Sequence, residues 1–596
     1  MLYAESVRSD TNGIKTNSKP MSKLLQRYRV QGLFGAKPNS PPLSIPLSIP
    51  FSIPLALLAS SALAQTPPTP PDAGALRQQI ERNQAQPVPR ATAPVKPAAP
   101  AELNAASATT FEVKTFRFVG NTLLTPGQLE AAVADYAGRT LLFTELQAAT
   151  ISVTKIYRDA GWLVRAFLPE QDVSNGIVTI QIEEAVFGTA RLEGAEPLRL
   201  KFSSVLGFFE AQQKQNQPLN TDALDRALLL ADDLPGVAVA GALQAGQAAG
   251  QTDLVIKMSD EPLLLGETGI DNTGSRATGD VRATLSASLQ SPLGLGDLLT
   301  MNAIKSQGSE YLRVGYSLPV DRDGWRAGVN ASTLRYRIIT PEFEALNPNG
   351  RSDSVGLEAT YPLVRSRQRN VYLQANLDQK DFLNESNQTL QSAYRINALT
   401  VGVATNSFDI LGGGGANAAS ISYVSGQLDL GTLNPSENTA LAGAFGKWRA
   451  NVSRQQVLSE QFTLYGSLAV QRGSQELDSS ENFTLGGSTG VRAYPSGEGR
   501  GVSGQVATLE LRARLSAAVN VNAFYDWGTV HSLGAKSSYQ LAGSGLSVAW
   551  MAPWGGSVRA TYARRIGGNP NPTTTGRDQD GSLDIDRWWL TAALPF

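Results

Sequence analysis

Residues 371–380, VYLQANLDQK, decide the fold class because apolar and polar side chains alternate along them. Every second residue from Val371 to Leu377 is apolar, so these side chains share one side of an extended chain. The stretch LELRARL (509–515) repeats the pattern. The whole of 263–596 lacks a helical period and reads as 16 strands of about 10 residues, separated by turn residues. The sequence therefore predicts an all-β region with two chemically different strand faces.

Two architectures have one apolar and one polar strand face: a soluble β-sandwich, and a membrane β-barrel with its apolar face towards lipid. An even number of strands is typical of single-chain outer-membrane barrels. The connections after even strands are mostly short: SPLGLGD, VDRDG, RSRQR, LSEQ, LSAA and APWGG. Several connections after odd strands are long and polar: PEFEALNPNGRSD, DLGTLNPSENTA and GNPNPTTTGRDQDG. A sandwich does not explain this asymmetry, so the loops favour the membrane barrel.

The last ten residues, RWWLTAALPF, also favour the barrel. Trp588, Leu594 and Phe596 belong to one apolar face, and the chain ends on an aromatic residue. Trp550 and Trp554 lie near predicted strand ends, where aromatic side chains form girdles at the membrane interface.

The composition excludes several kinds of chemistry. The 596 residues include 56 Gly and 33 Pro but no Cys, which rules out disulfides, thiolate zinc sites, iron–sulfur clusters and cysteine nucleophiles. The single histidine, His531, does not make a His-rich metal site. The 51 basic and 52 acidic residues nearly cancel, which gives no electrostatic reason for nucleic-acid binding. We expect no metal, no cofactor and no nucleic-acid partner.

Residues 1–64 have the features of a secretory signal region. Four basic residues and no acidic residue lie within 21–38, and the apolar run SIPLSIPFSIPLALLASSALA follows. Small residues precede a predicted cleavage between Ala64 and Gln65. The alternative is a membrane helix, which three prolines would interrupt. Met21 is a possible true start, because the residues before it add nothing to the signal.

Residues 65–110 are rich in Pro and Ala and contain one stretch that can form a helix, DAGALRQQIERNQAQ (72–86). Its apolar stripe is thin, so the helix would suit a watery surface or a wide pore. A disordered linker with transient helix is the alternative. The candidate contact residues of the helix are Leu76, Arg77, Ile80 and Glu81.

Residues 111–187 and 188–262 read as two successive β-α-α-β-β units of about 75 residues each, a tandem of small α+β domains. In the first unit, Thr125 precedes a helix that extends to Tyr136, and a second helix ends at Gly161. The second unit is predicted to contain the strand RLEG (191–194), a helix near 198–212, a further helix and two strands.

An enzyme would need titratable groups that converge. His531 follows Asp526 by five residues at a strand end, so a Ser/His/acid site in the wall is one hypothesis. The region has no G-x-S-x-G elbow at a strand–helix junction. The clusters Gly412–Gly415 and Gly486–Gly487 lack the Lys-Ser/Thr and helix of a phosphate cradle, so we interpret them as turns. A solvated loop histidine is the simpler interpretation of His531.

The longest connection, residues 474–503, holds a more specific signal, because loops of this length are usually functional or disordered. In a later strand, the alternation assigns Phe524, Asp526 and Gly528 to the lumen side. An arginine carried inward by the folded loop would pair with Asp526 through two hydrogen bonds. In the alternative, Asp526 faces a wet lumen and Arg492 stays solvated outside.

Two motifs in the barrel region are FTLGGSTGVRAYP (483–495) and FYDWG (524–528). Four more lie in the α+β units: FRFVGNTLL (116–124), IYRDAGWLVRAFLPEQ (156–171), VTIQIEEA (178–185) and LLLADDLPGV (228–237). Together they resemble the transporter component of two-partner secretion systems, the TpsB or haemolysin-secretion/activation type. The motifs of the α+β units resemble the POTRA domains of that family. The resemblance covers essentially all of 66–596.

The resemblance implies a membrane all-β fold, namely a 16-stranded transmembrane antiparallel β-barrel at 263–596. It also implies that the two preceding α+β units are POTRA domains and that a plug helix at about 72–86 fills the pore. Trp588, Leu594 and Phe596 would form the C-terminal signal that the barrel assembly machinery reads.

The family motif V-R-G-Y corresponds to Val491, Arg492, Ala493 and Tyr494, with alanine in the place of glycine. The wall motif F-x-D-x-G is intact as Phe524, Asp526 and Gly528. In the family, this arginine–aspartate pair anchors the sixth extracellular loop inside the barrel.

The resemblance further implies a channel in the Gram-negative outer membrane, with its POTRA domains in the periplasm. The channel would pass one large unfolded exoprotein, an adhesin or haemolysin-like protein with an N-terminal secretion domain, to the cell surface. Outer-membrane lipids would surround it. The main alternative is a barrel-insertion factor of the same superfamily, which generally carries more POTRA domains. A passive porin would not need 111–262, and an enzyme is the last alternative.

Overall fold

The computed structural model describes residues 70–83, 110–248, 250–431, 441–532 and 538–596. The predicted signal region and its cleavage point at Ala64 and Gln65 lie outside these residues. Among the described residues, no helix has both the length and the apolar character needed to cross a membrane.

Helix α1 (Ala73–Asn83) lies before the first α+β domain in the chain. The elements of that domain are β1 (Thr110–Val113), β2 (Thr115–Val119), α2 (Pro126–Ala132), β3 (Arg139–Leu142), α3 (Phe143–Asp159), β4 (Val164–Phe167) and β5 (Ile177–Glu184). Strand β5 pairs in parallel with β2 and antiparallel with β4, and β1 pairs with β3. The α helices cover this sheet with a core that includes Leu129, Val153 and Tyr157.

The first domain differs from the prediction in one place. Helix α2 stops at Ala132, and Tyr136 belongs to a separate 3₁₀ turn. Gly138 then adopts a φ of +72°, which turns the chain so that the unpredicted strand β3 can pair with β1. Leu141 of β3 is fully buried, so its burial outweighs the helical preference of the preceding residues.

The second domain consists of β6 (Val186–Leu192), α4 (Phe202–Gln212), α5 (Thr221–Asp232), β7 (Val237–Ala245) and β8 (Gln251–Asp260). Strand β6 begins five residues before the predicted strand RLEG, so the predicted boundary after residue 187 falls inside it. Helix α4 begins later than predicted, because the amides of Leu198 and Arg199 donate to the Asp260 carboxylate instead of to a helical turn.

Residues 264–595 form a closed barrel of 16 antiparallel strands, which confirms the predicted fold class. The first eleven strands are β9 (Leu264–Asp271), β10 (Arg282–Gln290), β11 (Leu298–Lys305), β12 (Ser309–Pro319), β13 (Arg326–Arg337), β14 (Asn349–Arg365), β15 (Arg369–Ser386), β16 (Thr389–Asp409), β17 (Gly415–Asp429), β18 (Gly443–Val457) and β19 (Phe462–Gly473). A two-residue pair, β20 (Phe483–Thr484) and β21 (Arg500–Gly501), lies outside the wall. The last five strands are β22 (Ser503–Arg514), β23 (Val519–His531), β24 (Ser538–Met551), β25 (Ser557–Arg565) and β26 (Asp586–Pro595).

The two strand faces meet different surroundings. On β15, Leu377 is 52% exposed and Tyr372 only 6% exposed, because the odd residues point outward and the even residues point into the barrel. Strand β26 repeats this pattern, with Trp588 and Leu594 exposed and Trp589 buried. The apolar residues therefore form an outer belt around a polar lumen.

Strands β14, β15 and β16 are much longer than the predicted 10 residues, with 17, 18 and 21 residues. Strand β16 has 21 residues, and its antiparallel pairing with β15 continues far beyond the apolar belt. Strand β14 begins at Asn349, which shortens the predicted loop PEFEALNPNGRSD. The polar residues beyond the belt continue the antiparallel pairing, because hydrogen bonds between strand backbones form outside the bilayer as well as inside it. Most of the predicted loop DLGTLNPSENTA lies outside the described residues.

The second domain is attached to the short turns of the barrel. Arg365 donates through Nε and Nη2 to Asp233 at 2.7 Å each, in a two-pronged pair. Arg367 lies 2.8 Å from Asp225 of α5. In addition, Arg226 donates to the Pro362 carbonyl at 2.9 Å. These contacts fix α5 against the turn between β14 and β15.

We expect Arg365→Ala to loosen the second domain from the barrel. Arg365 is 5% exposed and Asp233 is 40% exposed, so the substitution removes a two-pronged pair that is partly screened by water, at a cost of about 1 kcal/mol. Distances measured by pulsed electron spin resonance, between spin labels on α4 of the second domain and on a barrel turn, should broaden. The control Arg367→Ala removes a pair that is 41% and 34% exposed, so its effect should be smaller. Equal broadening in both variants would contradict this assignment.

Candidate functional site

The barrel lumen contains helix α1. Four of the predicted site residues lie on this helix: Leu76, Arg77, Ile80 and Glu81. Leu76 and Ile80 pack into an apolar cluster with wall residues such as Leu334 and Phe382. The amide of Ala73 donates to Asn384 Oδ1 at 2.9 Å. The thin apolar stripe therefore fits a wall that is itself only partly apolar.

Arg77 holds the centre of α1 to the wall. Its guanidinium donates to Ser332, Ser352 and Ser354 at 3.0, 3.1 and 2.6 Å. It also forms an ion pair with Glu81 one turn later, at 2.7 Å. Burial alone would raise the pKa of Glu81, but the Arg77 charge lowers it. Arg77 is 2% exposed, so its charge is balanced within the helix. The neutral hydroxyls accept from its Nη1 and Nη2, and its buried Nε has no hydrogen-bond partner among the described residues.

The long loop folds back into the lumen, and we call residues 474–502 the inner loop. Its first part supports α1: Ser479 donates to Asp72 at 2.7 Å, and Thr484 donates to Gln78 at 3.0 Å. Arg82 donates to the Thr484 carbonyl at 2.5 Å. A side chain on Gly74 would lie 2.4 Å from Ser479 Oγ, so the glycine permits this close approach.

Glu481 anchors the first part of the inner loop. Its carboxylate lies 2.9 Å from Lys380 and 2.6 Å from Lys447, and Arg449 is 3.4 Å away. The Glu481 carbonyl also accepts from Gln471 at 2.9 Å. Burial alone would raise the pKa of Glu481, but the three cations hold it well below its usual range.

Arg492 anchors the second part of the inner loop. Its Nε and Nη2 donate to the two oxygens of Asp526 at 2.8 Å each, and its backbone amide adds a bond of 3.1 Å. Nη1 donates to Glu510 at 2.7 Å. Asp526 is fully buried. Burial alone would lower the pKa of Arg492, but its bonds to Asp526 and Glu510 raise it.

The other residues of the wall motif complete this anchor. The Phe524 ring lies flat against the arginine, with its centroid 3.5 Å from Arg492 Cζ. A side chain on Gly528 would lie 2.9 Å from Leu485, so the glycine makes room for the inner loop. Trp589 of β26 donates its indole N–H to the Arg492 carbonyl at 2.8 Å.

The tip of the inner loop is fully buried at Val491, Ala493 and Tyr494. A Cβ added to Gly543 of the wall would lie 2.5 Å from Ala493 Cβ, so the alanine methyl fills the space of a missing wall side chain. Arg565 supports the tip, with its Cζ 4.5 Å from the Tyr494 ring and its Nε donating to the Ala493 carbonyl at 3.2 Å. Alanine therefore fits where the family motif has glycine.

A buried carboxylate follows the tip. Glu498 is fully buried and accepts from Asn569 Nδ2 at 3.0 Å and from the Gln579 amide at 2.8 Å. Burial raises its pKa to about 7, and the nearby charges of Asp578 and Asp580 add to the rise. Both aspartates belong to the outer loop between β25 and β26, so Glu498 joins the inner loop to that outer loop.

The sequence analysis did not identify Glu481, Glu498 or Glu510, the second carboxylate that Arg492 binds. The alternation along 509–515 and 371–380 places Glu510 and Lys380 in the lumen, so part of the signal was present. The partners of these two residues, Arg492 and Glu481, lie on the inner loop, and a repeat in the sequence does not predict the path of a loop.

The remaining candidate residues lie apart from this arrangement. His531 is exposed at the end of β23, and Asp526 is held by Arg492 instead of by a histidine. Gly412, Gly413 and Gly487 have positive φ values in turns. Trp588, Leu594 and Phe596 point outward from the last strand and its end. Across the described residues, no group of three His, Cys, Asp or Glu side chains could hold a metal ion.

Residues 250–550, half of the chain, match the model of the haemolysin secretion/activation protein family ShlB/FhaC/HecB. The chain belongs to this family. Residues 111–185 match the ShlB-type POTRA domain. The heme/hemopexin transporter protein HuxB of Haemophilus influenzae is 27% identical to this chain over 419 residues, 67% of this chain and 72% of HuxB. The outer membrane transporter CdiB of Dickeya dadantii is 27% identical over 66% of this chain and 70% of CdiB.

A solved structure has the same fold. The structure of CdiB from Escherichia coli matches with a TM-score of 0.68 and 21% identity, covering 89% of this chain and 99% of that chain. This member of the haemolysin secretion/activation family is therefore an outer-membrane transporter of a partner exoprotein, with its POTRA domains in the periplasm. Family membership favours secretion over the insertion-factor alternative.

We expect the packing of the loop tip to weaken as the pH rises through about 7. The folded state holds a proton on Glu498 up to a pKa of about 7, whereas an unfolded loop releases it near the ordinary value of 4.5. The stability from this group is complete below the unfolded pKa and is lost towards pH 7, which amounts to about 3 kcal/mol. Hydrogen exchange of residues 483–501, corrected for intrinsic rates, should accelerate over this interval.

The variant Glu498→Gln keeps the hydrogen-bonding shape without the charge, so it should remove the pH dependence. Unchanged dependence in this variant would assign the effect to another group.

Proposed function

We propose that α1 and the inner loop close the pore at rest and that both must shift before an exoprotein can pass. The observation that carries this proposal is the position of α1 in the lumen, where Arg77 binds three wall serines and Arg82 binds the inner loop. A chain in transit needs the space that α1 occupies. The channel is therefore gated by displacement of its own segments.

The Arg492–Asp526 pair acts in this proposal as the fixed end of the inner loop. Its two parallel hydrogen bonds, together with Glu510 and the Phe524 ring, define one geometry for the loop tip. Losing one member leaves a buried charge without its partner. A loop held in this way keeps its tip against β23 while α1 and the first part of the inner loop shift.

The POTRA domains capture the exoprotein in the periplasm. Strands β4 and β7 lie at sheet edges, so an unfolded chain can add to them through backbone hydrogen bonds. The cargo in this proposal is an adhesin or haemolysin-like exoprotein with an N-terminal secretion domain. The name of one relative, the hemolysin transporter protein ShlB of Serratia marcescens, supports a haemolysin-like cargo. The sequence contains no nucleotide-binding motif, so folding of the cargo outside the cell drives transport.

We infer a biogenesis route from the two ends of the chain. The signal region is cleaved between Ala64 and Gln65, and the barrel assembly machinery reads the apolar face of Trp588, Leu594 and Phe596. Outer-membrane lipids then surround the outer belt. The role is transport without enzymatic chemistry, since His531 is exposed and Asp526 is committed to Arg492.

We expect Arg492→Ala and Asp526→Ala each to lower secretion of the exoprotein while the barrel still assembles. Either change leaves an uncompensated buried charge at a cost of about 3–5 kcal/mol to the loop anchor. Secreted exoprotein in the medium should fall at equal surface levels of the transporter.

The matched control for that experiment is Glu510→Gln, which removes one charge and leaves the paired bonds to Asp526 intact. It should lower secretion less than either alanine variant. Wild-type secretion from Arg492→Ala and Asp526→Ala would mean that the pair is structural only.

Deletion of residues 72–86 should raise single-channel conductance in planar bilayers, because it empties the lumen of α1. The control is a deletion of the same length, residues 88–102, in the Pro-rich linker, which should leave conductance unchanged. If removing 72–86 has no effect on conductance, the helix does not limit the pore.

A further inference from the structure

The outer surface of the barrel has one groove that is not explained by transport. It crosses β16 to β23 in two rows of outward residues, defined by their cross-strand pairing. The upper row is Thr405, Ala419, Val452, Leu468, Ala507 and Trp527. The lower row is Ser407, Asn417, Arg454, Gly466, Leu509 and Tyr525. The groove has a volume of about 760 Å³, within the range of roughly 300–1,000 Å³ typical of small-molecule sites.

The apolar part of the groove lies at Gly466. A Cβ built there meets no atom closer than Leu509 Cδ1 at 4.0 Å, so the missing side chain leaves open space. Val452, Leu509 and Tyr525 rise around it and are each about half exposed. Because these residues belong to the outward face, the groove is continuous with the surface that meets the bilayer.

The other end of the groove is charged. Arg454 donates to both oxygens of Asp409, at 2.5 and 3.0 Å, and to Asn417 Oδ1 at 2.6 Å. Its Nε and Nη2 also donate to Gln456 Oε1, at 3.1 and 2.5 Å, so all five of its N–H groups have partners within the wall. Asp409 ends β16 and Arg454 lies three residues before the end of β18, so the pair sits at the periplasmic edge of the wall. The two side chains remain 26% and 35% exposed. An outward ion pair is tolerated at this depth, where lipid headgroups begin.

We propose that this groove binds one zwitterionic phospholipid of the periplasmic leaflet. An acyl chain lies over Gly466, the phosphate lies beside the Arg454 end of the ion pair and the ammonium beside the Asp409 end, while the two side chains stay bonded to each other. Two observations select this occupant: the groove opens onto the lipid-facing surface, and its polar end carries one charge of each sign, which complements a headgroup with one charge of each sign. A phospholipid with a purely anionic headgroup satisfies only half of the pair.

The position gives the lipid a structural role. Tyr525 and Trp527 line the groove and are the neighbours of Asp526 on β23. Ala507 and Leu509 line it on β22, and Thr508 between them donates to Asp526 at 2.9 Å. The lipid therefore supports, from outside, the wall segment whose inner side holds the Arg492 anchor.

The test uses the full chain in detergent with phosphatidylethanolamine or phosphatidylglycerol of identical acyl chains, and counts bound lipids by native mass spectrometry. Wild type should retain one phosphatidylethanolamine in preference to phosphatidylglycerol. In Gly466→Leu the new side chain fills the groove, and retention should fall roughly tenfold. The control Ala331→Leu adds the same side chain to the outward face of β13 and should leave retention unchanged.

The headgroup contact has its own pair of variants. Asp409→Asn should abolish the preference for phosphatidylethanolamine, because only the ammonium distinguishes the two headgroups. The control Asp381→Asn breaks the outward pair with Arg395, 2.6 Å apart on β15 and β16 near the other rim, and should keep that preference. Equal retention by wild type and Gly466→Leu would overturn the site, and equal retention of the two phospholipids by wild type would overturn the headgroup assignment. Unheated gel mobility, which reports a closed barrel, shows that each variant is folded.

Discussion

A strand inside a bilayer has no water to satisfy its backbone N–H and C=O groups, so the sheet must close on itself. This constraint determines the rest of the molecule. Closure requires β26 to pair with β9, and it places every second side chain of the 16 strands in a polar lumen. A lumen of this kind can accommodate charged groups that the lipid face could not. The plug helix and the inner loop both use this polar interior, and neither would be stable against the apolar belt.

The inner loop is fixed at two anchors, and the arrangement of charges is opposite at the two. Glu481 is one carboxylate among three cations, while Arg492 is one cation between two carboxylates. Each anchor is nearly dry, so a single substitution leaves charge uncompensated at low dielectric. Such pairs contribute little net stability compared with apolar packing, but they accept only one geometry. The inner loop therefore has a defined path in a space wide enough for several.

The two-residue period of the strands was sufficient to predict the barrel, its two faces and the inward position of Asp526, because side-chain alternation is a local property. The Arg492–Asp526 contact followed from motif resemblance. The Glu481 anchor could not be found this way, since Lys380, Lys447 and Glu481 are brought together only by the folded loop. The predicted start of α4 was wrong for a similar reason. The Asp260 carboxylate, about 60 residues away, accepts hydrogen bonds from the amides of Leu198 and Arg199, which would have begun the predicted helix. Tertiary contacts outweighed local preference in both places.

The contacts of α1 differ in kind from those of the inner loop. Apart from the internal Arg77–Glu81 pair and the apolar packing of Leu76 and Ile80, the helix is held by neutral polar groups: serine hydroxyls, a side-chain amide and backbone carbonyls. Water can replace such neutral partners singly, with little change in the energy of the remaining bonds. The helix can thus be peeled away in small steps, whereas the loop tip has one large activation barrier. Two segments in the same lumen would move on different timescales, with the helix the faster of the two.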